Sequence, residues 1–307
     1  MFGKDLNRFF STTDFLKKQS NEYGWIVIDN LIISYYIKSR FNLFRYLVFT
    51  DINTNAEDFE IIEKLVMYVK NNLNVDFIHH PHANFITTAK PINSIAIPFA
   101  TIVKNIQLND NDLLMSIHEK HRNVIRSAIK KGVVVSRVLQ AEKEHFLFFQ
   151  EEQKKIGRKF MNYMSFQNLL SSKQVLLFKA TNNNLIIAEA IIAHDKQTAY
   201  YLYGSYKSGT INGCMNLLLF EIMKYLRDSE VEQIDFLGVR INPVEGSKLE
   251  GIRKFKLRFN GNVIKGFLWK YPFHLPKYHL FQFIFKTFQL VKIGRWQGDN
   301  IDQELEK

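Results

Sequence analysis

The residue types best suited to chemistry gather in a short basic run, Gly251-Ile-Arg-Lys-Phe-Lys-Leu-Arg-Phe-Asn-Gly261, where Arg253, Lys254, Lys256 and Arg258 are interleaved with apolar side chains. A cation fixed beside a polarised carbonyl stabilises the negative charge that develops when a nucleophile adds to it. The same four cations also suit the solvated face of a short helix. A second basic set, Arg122, Arg126 and Lys130, stands at i, i+4 and i+8, which a helix would stack into one stripe. Like charges at that spacing repel by about 0.2–0.5 kcal/mol per pair, a cost that a bound phosphate relieves; a lysine-rich surface helix is the plainer account.

Other reactive side chains fit less well. Cys214 lies within an amphipathic helical pattern that offers nothing to lower a thiol pKa, and no Gly-x-Ser-x-Gly elbow occurs. Attack by a neutral amine on an activated acyl group needs no enzyme nucleophile, so direct transfer is the economical chemistry. Asp235 ends an expected strand, where it orients an amine, holds Lys256, or is a structural acid. Glu189 sits inside an apolar strand as a candidate base, although a strand carboxylate more often faces outward. Tyr203 is placed to line an acceptor cleft or to join the core. His79-His-Pro-His82 invites a metal, but adjacent histidines on a strand diverge and no Cys, Asp or Glu completes a spaced ligand set.

These residues need a scaffold, and 307 residues with 46% apolar content are enough to bury one. The 41 Lys+Arg against 30 Asp+Glu give +11, which favours polyanionic partners such as nucleic acid, nucleotide diphosphates or an anionic membrane face. One cysteine forms no internal disulfide, and Met1 to Ser20 is charged throughout without an apolar stretch, so a cytoplasmic protein without a secretory leader is expected.

Strands are expected at 25–29 and 44–50, a helix at 56–72, a short strand at 75–78 and an extended segment at 94–106. One long helix is expected from the N-cap cluster Asn109-Asp-Asn-Asp112 to Gly132, followed by the β-branched run Val133-Val-Val135. Two helices, broken around Gly157, fill 141–172. Three strands then succeed one another at 175–180, 185–194 and 198–206, joined by Asn182-Asn-Asn184 and Asp195-Lys-Gln197. A helix from about Asn212 to Arg227 has Met215, Leu218, Leu219, Ile222 and Leu226 on one face; a strand at 233–238, a short helix at 251–259 and a strand at 263–271 complete the body. The tail 276–294 reads as an amphipathic basic helix, with Phe281, Ile284, Phe285, Phe288 and Val291 opposite Gln282, Lys286 and Gln289; it packs on the body or docks on an anionic membrane.

Within this order, Tyr200-Tyr-Leu-Tyr-Gly-Ser205, Ile234-Asp-Phe-Leu-Gly238 and Gly251–Gly261 resemble the successive signatures of the FemABX-like aminoacyltransferases, members of the GNAT fold group. Lys120-His-Arg-Asn-Val-Ile-Arg-Ser-Ala-Ile-Lys-Lys-Gly-Val133 is similar to that family's helix of the form Lys-x-Arg-x-x-Ile-Arg-x-Ala-x-Lys-x-Gly-Val, and Gly157-Arg158 falls where the family often carries an Arg-Gly pair. The likeness spans roughly residues 90–270. It departs at Asp235-Phe-Leu-Gly-Val239, where the family pattern is Asp-Phe-Gly-Gly, and in lacking a charged coiled-coil hairpin of the kind some members use around tRNA. The turn Ser205–Gly213 also lacks the glycine-rich loop by which ordinary GNAT enzymes cradle the CoA pyrophosphate.

The resemblance implies an α+β protein of two GNAT-like domains with mixed sheets flanked by helices: residues 1–140, residues 141–275 carrying the motifs, and a basic tail, 276–307. It implies an N-acyltransferase, with an aminoacyl group passing from aminoacyl-tRNA to an amine of a peptidoglycan or other cell-envelope precursor. Lys256 would stabilise the oxyanion, Phe255 would stack on the donor, and Asp235 would complete the catalytic set. Arg122, Arg126, Lys130, Tyr203 and Arg253 would bind a phosphate-bearing acceptor. No cofactor is expected, the donor being a co-substrate. An acyl-CoA or acyl-carrier-protein donor acting on a nucleotide-sugar or glycan amine is the alternative in the same class; a non-catalytic RNA- or membrane-binding protein is the alternative from another. The expected location is the cytoplasm, with peripheral contact at the inner membrane face through 276–294.

Overall fold

A short two-residue turn, Asp29-Asn30, folds the chain's first strand, β1 (Glu22–Ile28), back against β2 (Leu31–Arg40), and β2 pairs in turn with β3 (Phe44–Ile52), both antiparallel. The computed structural model describes residues 8–53, 59–155, 160–294, 296 and 298–306. Ahead of this meander a 3-10 turn, Phe9–Ser11, leads into α1 (Thr13–Gln19). After it come α2 (Phe59–Asn72), β4 (Phe77–Ile78) and β5 (Ile95–Asn105). Strand β4 runs parallel to β3, with Tyr46 facing Phe77 and Leu47 facing Ile78. Strand β2 went unread in the sequence because it is apolar on both faces and shows no clean alternation: Leu31 to Ser34 are all buried.

The expected long helix after Asn109 is two helices, α3 (Asp110–Met115) and α4 (Glu119–Lys130). Asn109 does cap the first, accepting from the Asp112 N–H. The break comes where Ser116 turns its hydroxyl onto the Leu113 carbonyl and His118 adopts an extended backbone and caps α4. Next follow β6 (Val134–Val138), α5 (Lys143–Lys155) and α6 (Tyr163–Leu170); Gly157-Arg158 lies outside the described residues. A second antiparallel meander, β7 (Val175–Asn182), β8 (Leu185–His194) and β9 (Thr198–Tyr206), leads through α7 (Cys214–Asp228) to β10 (Gln233–Asp235), which is parallel to β9. The remaining elements are β11 (Val239–Arg240), α8 (Lys248–Leu257), β12 (Asn262–Pro272), α9 (Leu275–Ile293) and α10 (Asn300–Leu305).

The chain divides into two compact units. The first comprises residues 1–101, 238–242 and 264–307, the second residues 102–237 and 243–263. This differs from the expected boundaries at 140 and 275, because the strands return. The second half of β5 pairs with β10, carrying α3, α4 and β6 into the second unit, whereas β12 pairs with β4 and takes the tail back to the first.

Each unit carries the same module, an antiparallel meander followed by a helix and a strand parallel to the meander's last strand. In the first unit the sheet lies between two helices. Ile62, Leu65, Val66 and Val69 of α2 pack with Ile33, Leu47, Phe49 and Trp269 on one face. Tyr278 and Phe281 of α9 pack with Tyr36, Phe44, Tyr46 and Phe77 on the other, so Tyr46 and Leu47 alternate between layers as strand neighbours must. In the second unit α7 buries the predicted residues Met215, Leu218, Leu219, Ile222 and Leu226. Much of its opposite side is covered too, because α4 lies across it: a Cβ on Gly213 would stand 2.4 Å from the Val124 carbonyl oxygen. Helices α5 and α6 cover the other face of that sheet, with Phe149 stacked on Phe160 and Phe146 edge-on to Phe166. The whole is an α+β protein with mixed sheets flanked by helices, as expected.

In α9 the packed stripe is rotated from the one expected. Phe281, Ile284 and Phe285 pack inward and Gln282 bonds the Tyr278 hydroxyl at 2.8 Å, but Val291 is 84% exposed. Among the described residues no helix is long and apolar enough to cross a membrane.

Candidate functional site

The second unit's parallel pair comes apart. Strand β10 follows β9 only from Gln233 opposite Thr198 to Asp235 opposite Tyr200, while β9 continues to Tyr206. The Phe236 N–H still bonds the Ile102 carbonyl in register with β5, and the expected strand 233–238 is cut short at Leu237, which takes a left-handed backbone with φ 56°. A leucine there costs on the order of 1–3 kcal/mol, since its Cβ crowds the backbone. On β9, Ile191 faces Tyr203 and Ile192 faces Tyr201, so Leu202 is unopposed; such a bulge re-aims backbone and side chains at the point where the two strands part.

Two predicted residues hold the strained peptide. Asp235, 7% exposed, accepts the Leu237 N–H at 2.7 Å, and Lys256 donates its Nζ to the Leu237 carbonyl at 3.0 Å. The geometry therefore joins Asp235 and Lys256 through Leu237, the residue standing where the resembling family has glycine. Lys256 lies on α8, which Ser247 caps by accepting the Glu250 N–H at 3.2 Å. Arg253 is half-buried one turn before Lys256 on the same helix.

Helix α8 is anchored to α4 by groups that the sequence did not single out. His121, 4% exposed, bonds the Phe255 carbonyl through Nε2 at 2.9 Å, and its ring lies 5.3 Å from Phe255 and 4.8 Å from Phe259. Burial pushes the His121 pKa down to about 4, so the neutral imidazole donates this bond at neutral pH. Phe255 is thus half-buried in an aromatic group, with Phe259 edge-on at 5.4 Å and stacked in turn on Phe236 at 5.0 Å. The His118 N–H bonds the Arg258 carbonyl at 2.9 Å, and the Asn260 amide bonds the Ser116 carbonyl at 3.0 Å. A histidine in a basic run announces no such contact. Its partner is 134 residues away in the chain.

The basic stripe divides. Arg122 is committed to the end of α3, donating to the Met115 carbonyl at 3.1 Å and to that of Ile117, while Arg126 and Lys130 are exposed. Arg122 therefore serves the orphan carbonyls of a helix end. Tyr203 is 39% exposed and meets Phe160 edge-on at 5.4 Å. Cys214 is the first residue of α7 rather than an interior one, yet burial raises its thiol pKa, which leaves it a poor nucleophile. Lys104 on β5 is a further buried cation, its pKa lowered to about 8 by burial and its ammonium on the Ser116 hydroxyl at 2.7 Å.

Glu189 does not face outward. It is fully buried, bonded through Oε1 to His145 Nδ1 of α5, and burial raises its pKa. His79 and His82 lie among aromatic rings of the first unit, and burial lowers their pKa values to about 3 and about 4. Among the described residues no group of three metal-ligating side chains forms.

The architecture has known counterparts. The chain is similar to the crystal structure of FemX, at 15% identity and TM-score 0.63 over 87% of this chain and 93% of that one. It is similar to the C-terminal domain of a putative lysylphosphatidylglycerol synthetase from Agrobacterium fabrum, at 12% identity and TM-score 0.57 over 91% and 92%. A conserved protein of unknown function from Bacteroides thetaiotaomicron matches at 13% identity and TM-score 0.52 over 84% and 89%. At these identities the likeness is one of fold, and the fold is the one that the motifs from Tyr200 to Gly261 implied. No family model and no curated protein matches the sequence.

Proposed function

We propose that the chain is an N-acyltransferase that passes an aminoacyl group from aminoacyl-tRNA to an amine of a peptidoglycan or other cell-envelope precursor in the cytoplasm, by direct attack. The observation that carries this reading is the splay of β9 from β10 with Lys256 bonded to Leu237 beside it. A splayed parallel pair offers a slot between two strands where an extended acyl donor can lie. An ammonium has three N–H donors; the bond to Leu237 fixes the position of Lys256, and its charge stabilises the oxyanion formed when the amine adds to the carbonyl. Electrons then return to expel the donor hydroxyl, and the amine's proton leaves with it. Arg126 and Lys130, exposed on one side of α4, meet donor or acceptor phosphates. The fold shared with FemX supports N-acyl transfer, and the resemblance of the motifs from Tyr200 to Gly261 to the FemABX-like aminoacyltransferases favours the aminoacyl donor.

The test supplies charged tRNA and acyl-CoA in parallel with envelope precursors and follows mass gain on the acceptor. Transfer from charged tRNA, falling by about 10²–10³ in kcat for Lys256→Met with the fold intact, is the expected result. Transfer from acyl-CoA alone moves the donor assignment to a thioester. No transfer from any donor, with salt-sensitive RNA binding that survives loss of both Phe255 and Lys256, makes the protein a binding module instead.

A further inference from the structure

Helix α9 is apolar on the side it turns to solvent as well as on the side it buries. Leu280, Phe283, Leu290 and Val291 are 46–84% exposed and fall at i, i+3, i+10 and i+11, one arc of the helix. The residue between them, Thr287, turns its hydroxyl back onto the Phe283 carbonyl at 2.9 Å and so offers that arc no free donor. The β2–β3 turn continues the surface: the exposed ring of Phe41 touches Phe288 at 5.8 Å, and Leu43 beside it is 60% exposed. A contiguous apolar face of this kind on a folded protein marks a binding surface.

Charge indicates what covers it. Over 19 residues α9 carries three lysines and no aspartate or glutamate; Lys277 is paired with Asp76 at 2.6 Å, which leaves Lys286 as the cation beside the apolar arc. Lys286 stands at the edge of the apolar arc, 53% exposed on its side chain, with Glu306 3.9 Å away at the flank. Two copies pairing through this face would bring their lysines together, whereas acidic lipid headgroups complement them. A helix too polar to cross a bilayer but apolar on one face and basic at its rim lies in the interface plane.

We infer that the outward face of α9, led by Phe283 and Leu290, docks on an anionic phospholipid surface, with Lys286 at headgroup level. This does not depend on the acyl-transfer reading. The test is flotation of the full chain with vesicles of equal phosphatidylglycerol and phosphatidylcholine, and with phosphatidylcholine alone, in about 0.1 M salt. The expected result is binding to the anionic vesicles that falls by roughly tenfold or more in the double variant Phe283→Glu, Leu290→Glu, with thermal unfolding unchanged. Met67→Glu, an exposed apolar residue on α2, leaves binding as it was. Any of three results overturns the proposal: no binding to anionic vesicles, binding undiminished in the double variant, or a wild-type dimer that the double variant turns into monomer.

Discussion

The meander–helix–strand module occurs twice in this chain, and its two copies treat the far end of the parallel pair differently. In the first unit the chain beyond β4 stays with β3: the His79 N–H bonds the Leu47 carbonyl at 2.8 Å, the His82 N–H bonds that of Phe49 at 3.0 Å, and the Asn84 amide bonds that of Thr50 at 2.8 Å. Rings of Phe10, Phe15 and Tyr36 close around His82. In the second unit β10 leaves β9 after Asp235, and buried polar groups are used to hold one strained peptide. One copy has become a closed core; the other keeps an open strand pair beside a fixed cation.

The closed copy depends most on Asp51, which is fully buried and meets Arg8 Nε at 3.1 Å, the Ser11 hydroxyl at 3.3 Å and the Asn84 amide at 3.2 Å. Asp51→Ala leaves these donors without their common acceptor, and a loss of about 3–5 kcal/mol in urea unfolding is expected. A loss below about 1 kcal/mol would mean that the N-terminal segment is not what closes this copy.

His82 gives the closure a pH dependence. Unfolded, its imidazole takes a proton near 6.5, whereas folded it resists until about 4, chiefly through burial. Between those values the unfolded state binds more protons, so stability is lost as pH falls. His82→Phe keeps the aromatic volume and removes the titration. Its unfolding free energy should fall less than that of wild type from pH 7 to pH 5, by about 2 kcal/mol. Parallel declines in the two proteins would assign the acid sensitivity elsewhere.

Much of the open copy was legible beforehand because its elements follow local rules. The three strands from 175 to 206 and the face of α7 announce themselves by period and turn residues, and the helix expected at 251–259 is present but begins earlier, at Lys248 behind its Ser247 cap. What stayed hidden depended on long-range contact. The bond from His121 to the Phe255 carbonyl, the inward turn of Glu189 onto His145 and the use of Arg122 on the end of α3 each join segments whose proximity only the fold creates. The outer face of α9 was hidden for another reason: apolar residues lie on both sides of the helix, so the stripe through Phe281, Phe288 and Val291 reads as a single apolar face, while Gln282 and Gln289 on its expected wet side are half-buried.

In the open copy Asp235 restrains Leu237 through one N–H. Asp235→Asn keeps an acceptor and removes the charge, so a stability loss of about 1 kcal/mol is expected, with a larger fall in turnover than in stability. Equal losses in both would make Asp235 a structural strand-end acid.

The finest test concerns Leu237 itself. If its left-handed backbone is what carries the Leu237 carbonyl to Lys256, glycine should serve as well as leucine. Leu237→Gly relieves about 1 kcal/mol of strain and gives up a half-buried side chain and some backbone order, so thermal unfolding should shift by less than about 1 kcal/mol and turnover should hold. Leu237→Val, β-branched and ill-suited to positive φ, should cost about 2 kcal/mol more than glycine and lower turnover with it. If the two variants are equally impaired, the leucine side chain matters and the backbone angle is incidental; if only valine fails, the angle is the feature that the open copy maintains and the reason why glycine is tolerated at this position.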